Sequence, residues 1–306
     1  MDKILSFLNA CPGAISQGII WGIMGVGVFI TFKVLDYADL TVDSSLCTGG
    51  AVSAVLIGLG LHPLLTLPFA LLAGMLAGLV TGLLHTRLQI PAILSGILTQ
   101  LALYSVNIRI MGRANVSLLG KETIITLLNV PHAILIGALF TAGVILLLYW
   151  FFGTEMGCAV RATGDNERMA RALGVNTDTM KVLGLVISNG MVGLAGALLA
   201  QYQGYADAQM GRGAIVIGLA SVIIGEVLIG SRRNFGLRMG SIILGSIVYY
   251  IVITFVLQLG LSTTDLKLFS AAIVAIALAI PAIRQKIAER RAVRSTPVMD
   301  ADTNGR

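Results

Sequence analysis

The sequence predicts an all-α fold, a polytopic transmembrane helical bundle of about eight to ten spans, and three observations carry that prediction. Of 306 residues, 56% are hydrophobic and only 12% charged, about half the charged share of a soluble domain, which is roughly 25%. The 36 glycines sit inside apolar runs, where small residues let membrane helices approach closely, so neither disorder nor a collagen-like repeat fits. At roughly 20 apolar residues per crossing, spans and short loops use up the length, giving one integral membrane domain over 1–306 with no soluble domain.

Apolar runs bounded by charges or turn residues place the spans near 14–34, 46–61, 64–84, 91–108, 132–152, 181–203, 214–230, 239–259 and 267–284. The second and fourth are short for a full crossing and carry polar residues, which marks one of them as broken or re-entrant. Arg232, Arg233 and Arg238 share one short loop. Arg284, Lys286, Arg290, Arg291, Arg294 and Arg306 lie in the tail 284–306, so the positive-inside rule puts the C-terminus in the cytoplasm, in a cell inner (plasma) membrane. The net charge of +6 therefore reports topology and contact with lipid, with no nucleic acid partner implied. Counting back, 154–180 and 85–89 also face inward and the N-terminus faces outward. This leaves Arg109, Arg113 and Lys121 outside, against the rule.

Sliding the chain over itself by 168 residues lays Tyr37-Ala38-Asp39 on Tyr205-Ala206-Asp207, Gly22 on Gly190, Gly25 on Gly193, Gly50 on Gly218 and Ser53 on Ser221. Each copy, about 14–60 and 182–228, is an apolar helix, an acidic break and a Gly/Ser-rich second helix, the layout of transporters built from repeated halves. An odd number of spans separates the copies, so the repeat is expected to be inverted.

No catalytic constellation is visible, and no cofactor or metal is expected. His62, His85 and His132 sit singly at span ends. Gly120-Lys121-Glu122 lacks the earlier glycine and the Ser/Thr of a phosphate-binding loop, so any ATP hydrolysis must come from a partner. Cys11, Cys47 and Cys158 have no metal or redox spacing and read as small buried residues without a disulfide. Leu8-Asn9-Ala10-Cys11 has the outline of a lipoprotein site, but the apolar stretch before it is too short for a signal peptide.

Charged groups at membrane depth are costly and usually line a pathway or gate. Asp39, Thr41 and Asp43, between two apolar runs, are candidates for the translocation pathway. The alternative is a solvated loop whose aspartates cap a helix beginning near Ser44 or Ser45. Thr99, Gln100, Ser105 and Asn107 in the fourth span, with Asn189, Gln201 and Gln203 in the sixth, face either an interior cavity or partners on neighbouring helices. Glu226 reads as an interfacial carboxylate pairing with Arg232 or Arg233, the alternative being a buried proton-coupling group. Gly74, Gly78 and Gly82 form one small-residue ridge and Gly236 with Gly240 another.

The segment 154–180 is different in kind, with charges of both signs that cancel. It reads as two short helices, the second capped by Asp165 and ended by Gly174. Met169, Ala170 and Leu173 then form an apolar ridge flanked by Arg168 and Arg171. A ridge of this kind on a cytoplasmic loop suits docking in a partner's groove, the alternative being a loop folded back on its own helices.

The run Gly157-Cys158-Ala159-Val160-Arg161-Ala162-Thr163-Gly164-Asp165-Asn166, with Ala170, Leu173-Gly174-Val175-Asn176 and Lys181, resembles the coupling segment of ABC-importer permeases of the branched-chain amino acid and ribose type. Trp21-Gly22-Ile23-Met24, the stretch from Asp39 to Asp43, Leu83-Leu84-His85-Thr86, Ile90-Pro91 and Ile108-Arg109-Ile110-Met111-Gly112-Arg113 are similar to its tryptophan/tyrosine-type, often uncharacterised, branch. The resemblance covers about 15–280. It implies a membrane subunit, itself not an enzyme, that pairs with a second permease copy as a homodimer. It further implies cytosolic ATP-binding-cassette ATPase subunits below and an extracytoplasmic substrate-binding protein above. By this resemblance Gly157, Arg161, Ala162, Gly164, Asp165, Asn166, Met169, Ala170, Leu173, Gly174 and Asn176 would engage the ATPase, and Asp39–Asp43 would lie in the permease core. The expected solute is a small amino acid, aromatic or branched-chain, with sugars and nucleosides behind. The alternative function is an ion-coupled secondary transporter using Asp39, Asp43 or Glu226, which would have no need of 154–180.

Overall fold

The computed structural model describes residues 2–124, 130–230, 234–258, 268–272, 274, 275 and 279. Arg232, Arg233, most of the ninth expected span (267–284) and the tail 284–306 lie outside the described residues. The described chain is a helical bundle. Helix α1 (Asp2–Phe29) runs on into a π-helical turn, Ile30–Val34. It is followed by α2 (Val42–Gly58), α3 (Pro63–Thr86), α4 (Ala92–Met111), α5 (Val130–Gly153), α6 (Glu155–Asp165), α7 (Glu167–Ala172), α8 (Thr177–Gln203), α9 (Ala214–Ile229) and α10 (Phe235–Gln258). Among the described residues, six helices are long and apolar enough to cross a membrane, and α2 and α9 are shorter apolar helices.

Helix ends follow local chemistry. Pro63 opens α3, where its missing N–H is no loss, and His62 accepts from the Leu64 N–H. Asn176 caps α8 by accepting from the Thr179 N–H. Gly112 and Gly204, at φ of +71° and +75°, end α4 and α8 in the left-handed conformation that favours glycine. The chains leaving α4 and α8 pair as a short antiparallel ribbon, β1 (Asn115–Ser117) on β2 (Tyr205–Asp207), with Asn115 opposite Asp207.

Helices α1 and α8 form the centre. In their apolar stretches 83% and 78% of residues are buried, against 22% and 17% in α4 and α5, which lie at the outside of the described bundle. The two central helices run antiparallel. Tyr202 donates to the Gly13 carbonyl at one end (3.2 Å), Ser188 to that of Gly27 in the middle (2.7 Å), and Gly184 packs on Leu35 at the other end. Small residues set the spacing. A Cβ at Gly74 or Gly78 would overlap the Asn189 or Leu185 carbonyl, and one at Gly82 would press on Val182, so the expected ridge packs α3 on α8.

Several expectations need correction. The fourth span is a full 20-residue helix, and the second short span is the seventh, α9, with 16 residues. Of the second expected ridge, Gly236 packs on Tyr149 of α5, whereas no described residue lies within 4 Å of a Cβ at Gly240; Gly245 and Gly225 make the close contact between α9 and α10. Only Cys47 is buried. Cys158 is exposed and Cys11 half-buried, because each lies near one end of the bundle, where neighbouring helices give incomplete cover.

Candidate functional site

The two short helices begin inside the bundle, and a polar cluster gathers around their starts. Asn189 lies about 18 Å along α8 from its first residue, near the helix's midpoint. Its amide nitrogen donates to Asp39 Oδ2 (2.7 Å) and to the Leu185 carbonyl (3.0 Å), while its Oδ1 accepts from Ser45 Oγ (2.6 Å). Asp39 is fully buried, and its other oxygen accepts from the Thr41 N–H (2.9 Å). The Thr41 and Thr81 hydroxyls share a hydrogen bond of 2.7 Å. One polar layer therefore ties the segment before α2 to α3 and to the middle of α8. Asp39 does not belong to a solvated loop. The chain folds back beside α8 after the π turn, and burial is complete.

Asp43 does cap a helix, but not its own. Its carboxylate accepts from the Gly213 and Ile215 N–H groups, both at 3.0 Å, at the start of α9. Gly213 has φ +84° and α9 has no cap from its neighbours. Its orphan N–H groups would otherwise be unpaired inside an apolar bundle, and the positive end of the α9 dipole favours the anion.

The other expected pathway residues are distributed unequally. Thr99 is buried but bonds the Ser95 carbonyl one turn back. Gln100 joins the network through its carbonyl, which accepts from Ser44 Oγ (3.0 Å). Asn107 is buried and its amide donates to the Ser44 carbonyl (3.4 Å), while its Oδ1 has no partner among the described residues. Ser105 is exposed and Gln203 half-buried. Gln201 anchors a second polar layer nearer the ribbon: its amide nitrogen reaches Ser53 Oγ (3.1 Å) and Thr66 Oγ1 (3.2 Å). Ser45, Thr81 and the Tyr37–Ser95 hydroxyl pair (2.8 Å) were not among the pathway candidates read from the sequence. Each is an ordinary polar residue whose role depends on a partner far along the chain.

At the end of the bundle opposite the ribbon, α6 and α7 form a step. Thr154 caps α6 by accepting from the Gly157 N–H (3.3 Å). The cap of α7 is Asn166, accepting from the Met169 N–H (3.0 Å). Asp165 is instead the last residue of α6, which corrects the expected cap by one position because α6 runs one residue further. Gly174, at φ +85°, ends the step. Met169 and Leu173 are exposed, at 46% and 75%, but Ala170 is fully buried, so the exposed ridge holds two of its three expected members. Ala170 turns inward because α7 lies flat on the start of α8. Arg161, Asp165, Asn166 and Asn176 are exposed. Gly157 and Gly164 serve the interior, since a Cβ at Gly157 would overlap the Phe151 carbonyl and one at Gly164 that of Val34. Ala162, half-buried, lines a cleft of about 750 Å³ between α6 and the end of α1.

Ion pairs brace this end. Glu167 meets Lys181 at 2.9 Å and Arg171 at 3.0 Å. The Lys181 ammonium, hydrogen-bonded to it, holds its carboxyl below the usual glutamate range. Glu226 pairs with Lys33 and Arg238, both at 3.2 Å, while Arg232 and Arg233 lie outside the described residues. Arg238 is the third arginine of the loop that supplied the expected partners.

Six long apolar helices, with two shorter ones starting among them, make this an integral membrane helical bundle. The pattern of the family described as branched-chain amino acid transport system / permease component matches residues 13–280, and the chain belongs to that family. It is similar to the tyrosine transport system permease protein of Clostridioides difficile, 39% identical over 267 residues, which cover 87% of this chain and 90% of the relative. An uncharacterised protein of Rickettsia prowazekii is 32% identical, covering 89% and 97%. The autoinducer 2 import system permease protein LsrC of Salmonella typhi is 32% identical, covering 67% and 61%. No solved structure matches.

Proposed function

We propose that this chain is the membrane permease subunit of an ATP-binding-cassette importer, passing a small solute across the plasma membrane. The solute class we assign is an amino acid, aromatic or branched-chain. The family supports a permease role, and one relative's name specifies tyrosine. Two copies would enclose the pathway, a cytosolic ATPase would sit under α6 and α7, and an extracytoplasmic binding protein would deliver the solute. The C-terminus and the α6–α7 step then face the cytoplasm, and the ribbon faces outward. The segments 14–60 and 182–228 would be inverted halves of one domain, a reading supported by the antiparallel α1 and α8.

The observation that carries the reading is the contact of Gly164 with the backbone at Val34. Exposed apolar side chains on α7 give an ATPase something to grip. Gly164 on α6, one helix back, abuts the π turn that ends α1. From there the chain leads through 35–38 to Asp39 and its bond to Asn189. A partner whose shape changes with bound nucleotide can shift this step only if it contacts the two positions differently. A rigid, capped two-helix step meets that need better than a loose loop.

Ion-coupled secondary transport fits less well. Asp39 is enclosed by its bonds, Asp43 is used by the start of α9, and Glu226 is paired with two cations. None of the three is left open to bind and release an ion. The test is uptake of labelled L-tyrosine into proteoliposomes holding the assembled importer and its binding protein. Uptake that needs internal ATP and survives collapse of ion gradients supports the reading. Uptake that ignores ATP and falls with the gradient overturns it.

A further inference from the structure

A cavity of about 510 Å³ opens beside the start of α9, within the range of roughly 300–1,000 Å³ usual for small-molecule sites. Its walls include Trp21 of α1, Arg212 and Val216 at the α9 start, and Tyr249 and Tyr250 of α10, with Ser270 closing one side. Trp21 lies about 20 Å from the end of the π turn and Tyr249 about 21 Å from the start of α10, so the cavity sits near mid-depth. Its aromatic wall is continuous. The Trp21 and Tyr250 ring centroids are 5.8 Å apart and those of Tyr249 and Tyr250 5.4 Å, with the Tyr249 hydroxyl held by Ser270.

One polar group there is unused. The Trp21 side chain is only 6% exposed, with its ring rather than its buried indole N–H turned to the cavity. Arg212 is exposed at the cavity, between two glycines whose backbone rests on Asp43. Its guanidinium makes no ion pair or hydrogen bond among the described residues. A cation at this depth without a partner is unfavourable unless it faces water or a ligand, and a guanidinium fork matches a carboxylate in two parallel bonds.

We propose that this cavity is where the solute rests midway, and that the solute is a small carboxylate bearing an aromatic ring. Arg212 takes the carboxylate and the Trp21–Tyr250 wall takes the ring. A lipid tail would leave the guanidinium unpaired, and a lipid headgroup would have to sink to mid-depth to reach it. The proposal rests on the permease reading and narrows its solute.

The chain contains two tryptophans, so Trp150→Phe leaves Trp21 as the sole indole. Nitrotyrosine, which absorbs where indole emits, is titrated against this variant co-purified with its ATPase, and the same complex with Trp21→Phe added supplies the ATPase background to subtract. Saturable quenching is expected. It should weaken about ten-fold or more in Arg212→Gln and for nitrotyrosine methyl ester, and less in Arg212→Lys. An unchanged Trp21 emission maximum and elution volume show that the variants are folded. Absence of saturable quenching, or equal quenching by the ester and in Arg212→Gln, overturns the proposal. So does quenching by brominated acyl chains that nitrotyrosine does not relieve. Retention of the ATPase in the same preparation separates the outcomes: a bound ATPase without quenching sinks the cavity alone, whereas a missing ATPase with quenching sinks the importer reading.

Discussion

Asn189 is the side chain on which the centre of the molecule closes. Its amide satisfies Asp39, Ser45 and a carbonyl of its own helix at once. Replacing it by leucine leaves a buried carboxylate oxygen and a buried hydroxyl without these partners. Asn189→Leu should destabilise by about 1–3 kcal/mol or more, read as a fall in the thermal midpoint of the detergent-solubilised protein. Asp39→Asn keeps the shape but sets an amide nitrogen against the Asn189 or Thr41 N–H donor, so it too should lower the midpoint; an unchanged midpoint would mean that these bonds do not hold the centre. Asp39 was legible in the sequence because a carboxylate between apolar runs is rare. Asn189 was legible only as a polar residue in a span, because its partner lies 150 positions away. Asp43 misled for the same reason. Helix capping was the right chemistry, but the capped helix starts 171 residues later, and no local pattern announces it.

Among the elements, the step formed by α6 and α7 was the most legible, since capping residues, a glycine stop and an apolar ridge are local signals. What the sequence could not give was its inner face, where Ala170 and Gly164 pack. Gly164→Val should push α6 off the π turn, because a Cβ there has no room. Uptake should fall by about ten-fold or more while ATPase binding survives, since overpacking at this contact displaces the helix. Loss of ATPase binding along with uptake would place Gly164 at the docking surface instead. Acid should loosen the same step. The Glu167 carboxyl is held below its ordinary range by Lys181, so its stabilisation is complete above the unfolded-state pKa and fades as pH falls through the folded one. Hydrogen exchange of the α7 amides should therefore speed up, relative to the intrinsic rate, across that acid window. In Lys181→Met the window should shrink; an unchanged profile would assign the effect to another group.

At the scale of the whole molecule, span placement was readable because apolar runs are long and charges few. The lengths of α4 and α9 were not. A short apolar run can be a full crossing or a helix that starts inside the bundle, and the choice depends on what its first turn meets. For α9 that is Asp43. Antiparallel α1 and α8 are consistent with the expected 168-residue repeat, although the breaks differ, one a π turn and fold-back, the other a ribbon and re-entry. The central claim is that the exposed ridge of α7 grips an ATPase. The most direct measurement is co-purification of the tagged chain from its own membrane, wild type beside Leu173→Asp and Met169→Asp. The account predicts a cytosolic ATPase with the wild type and its loss from both variants, with chain yield and elution volume unchanged. An ATPase that stays bound to both variants, or a wild-type chain that purifies without one, would contradict it.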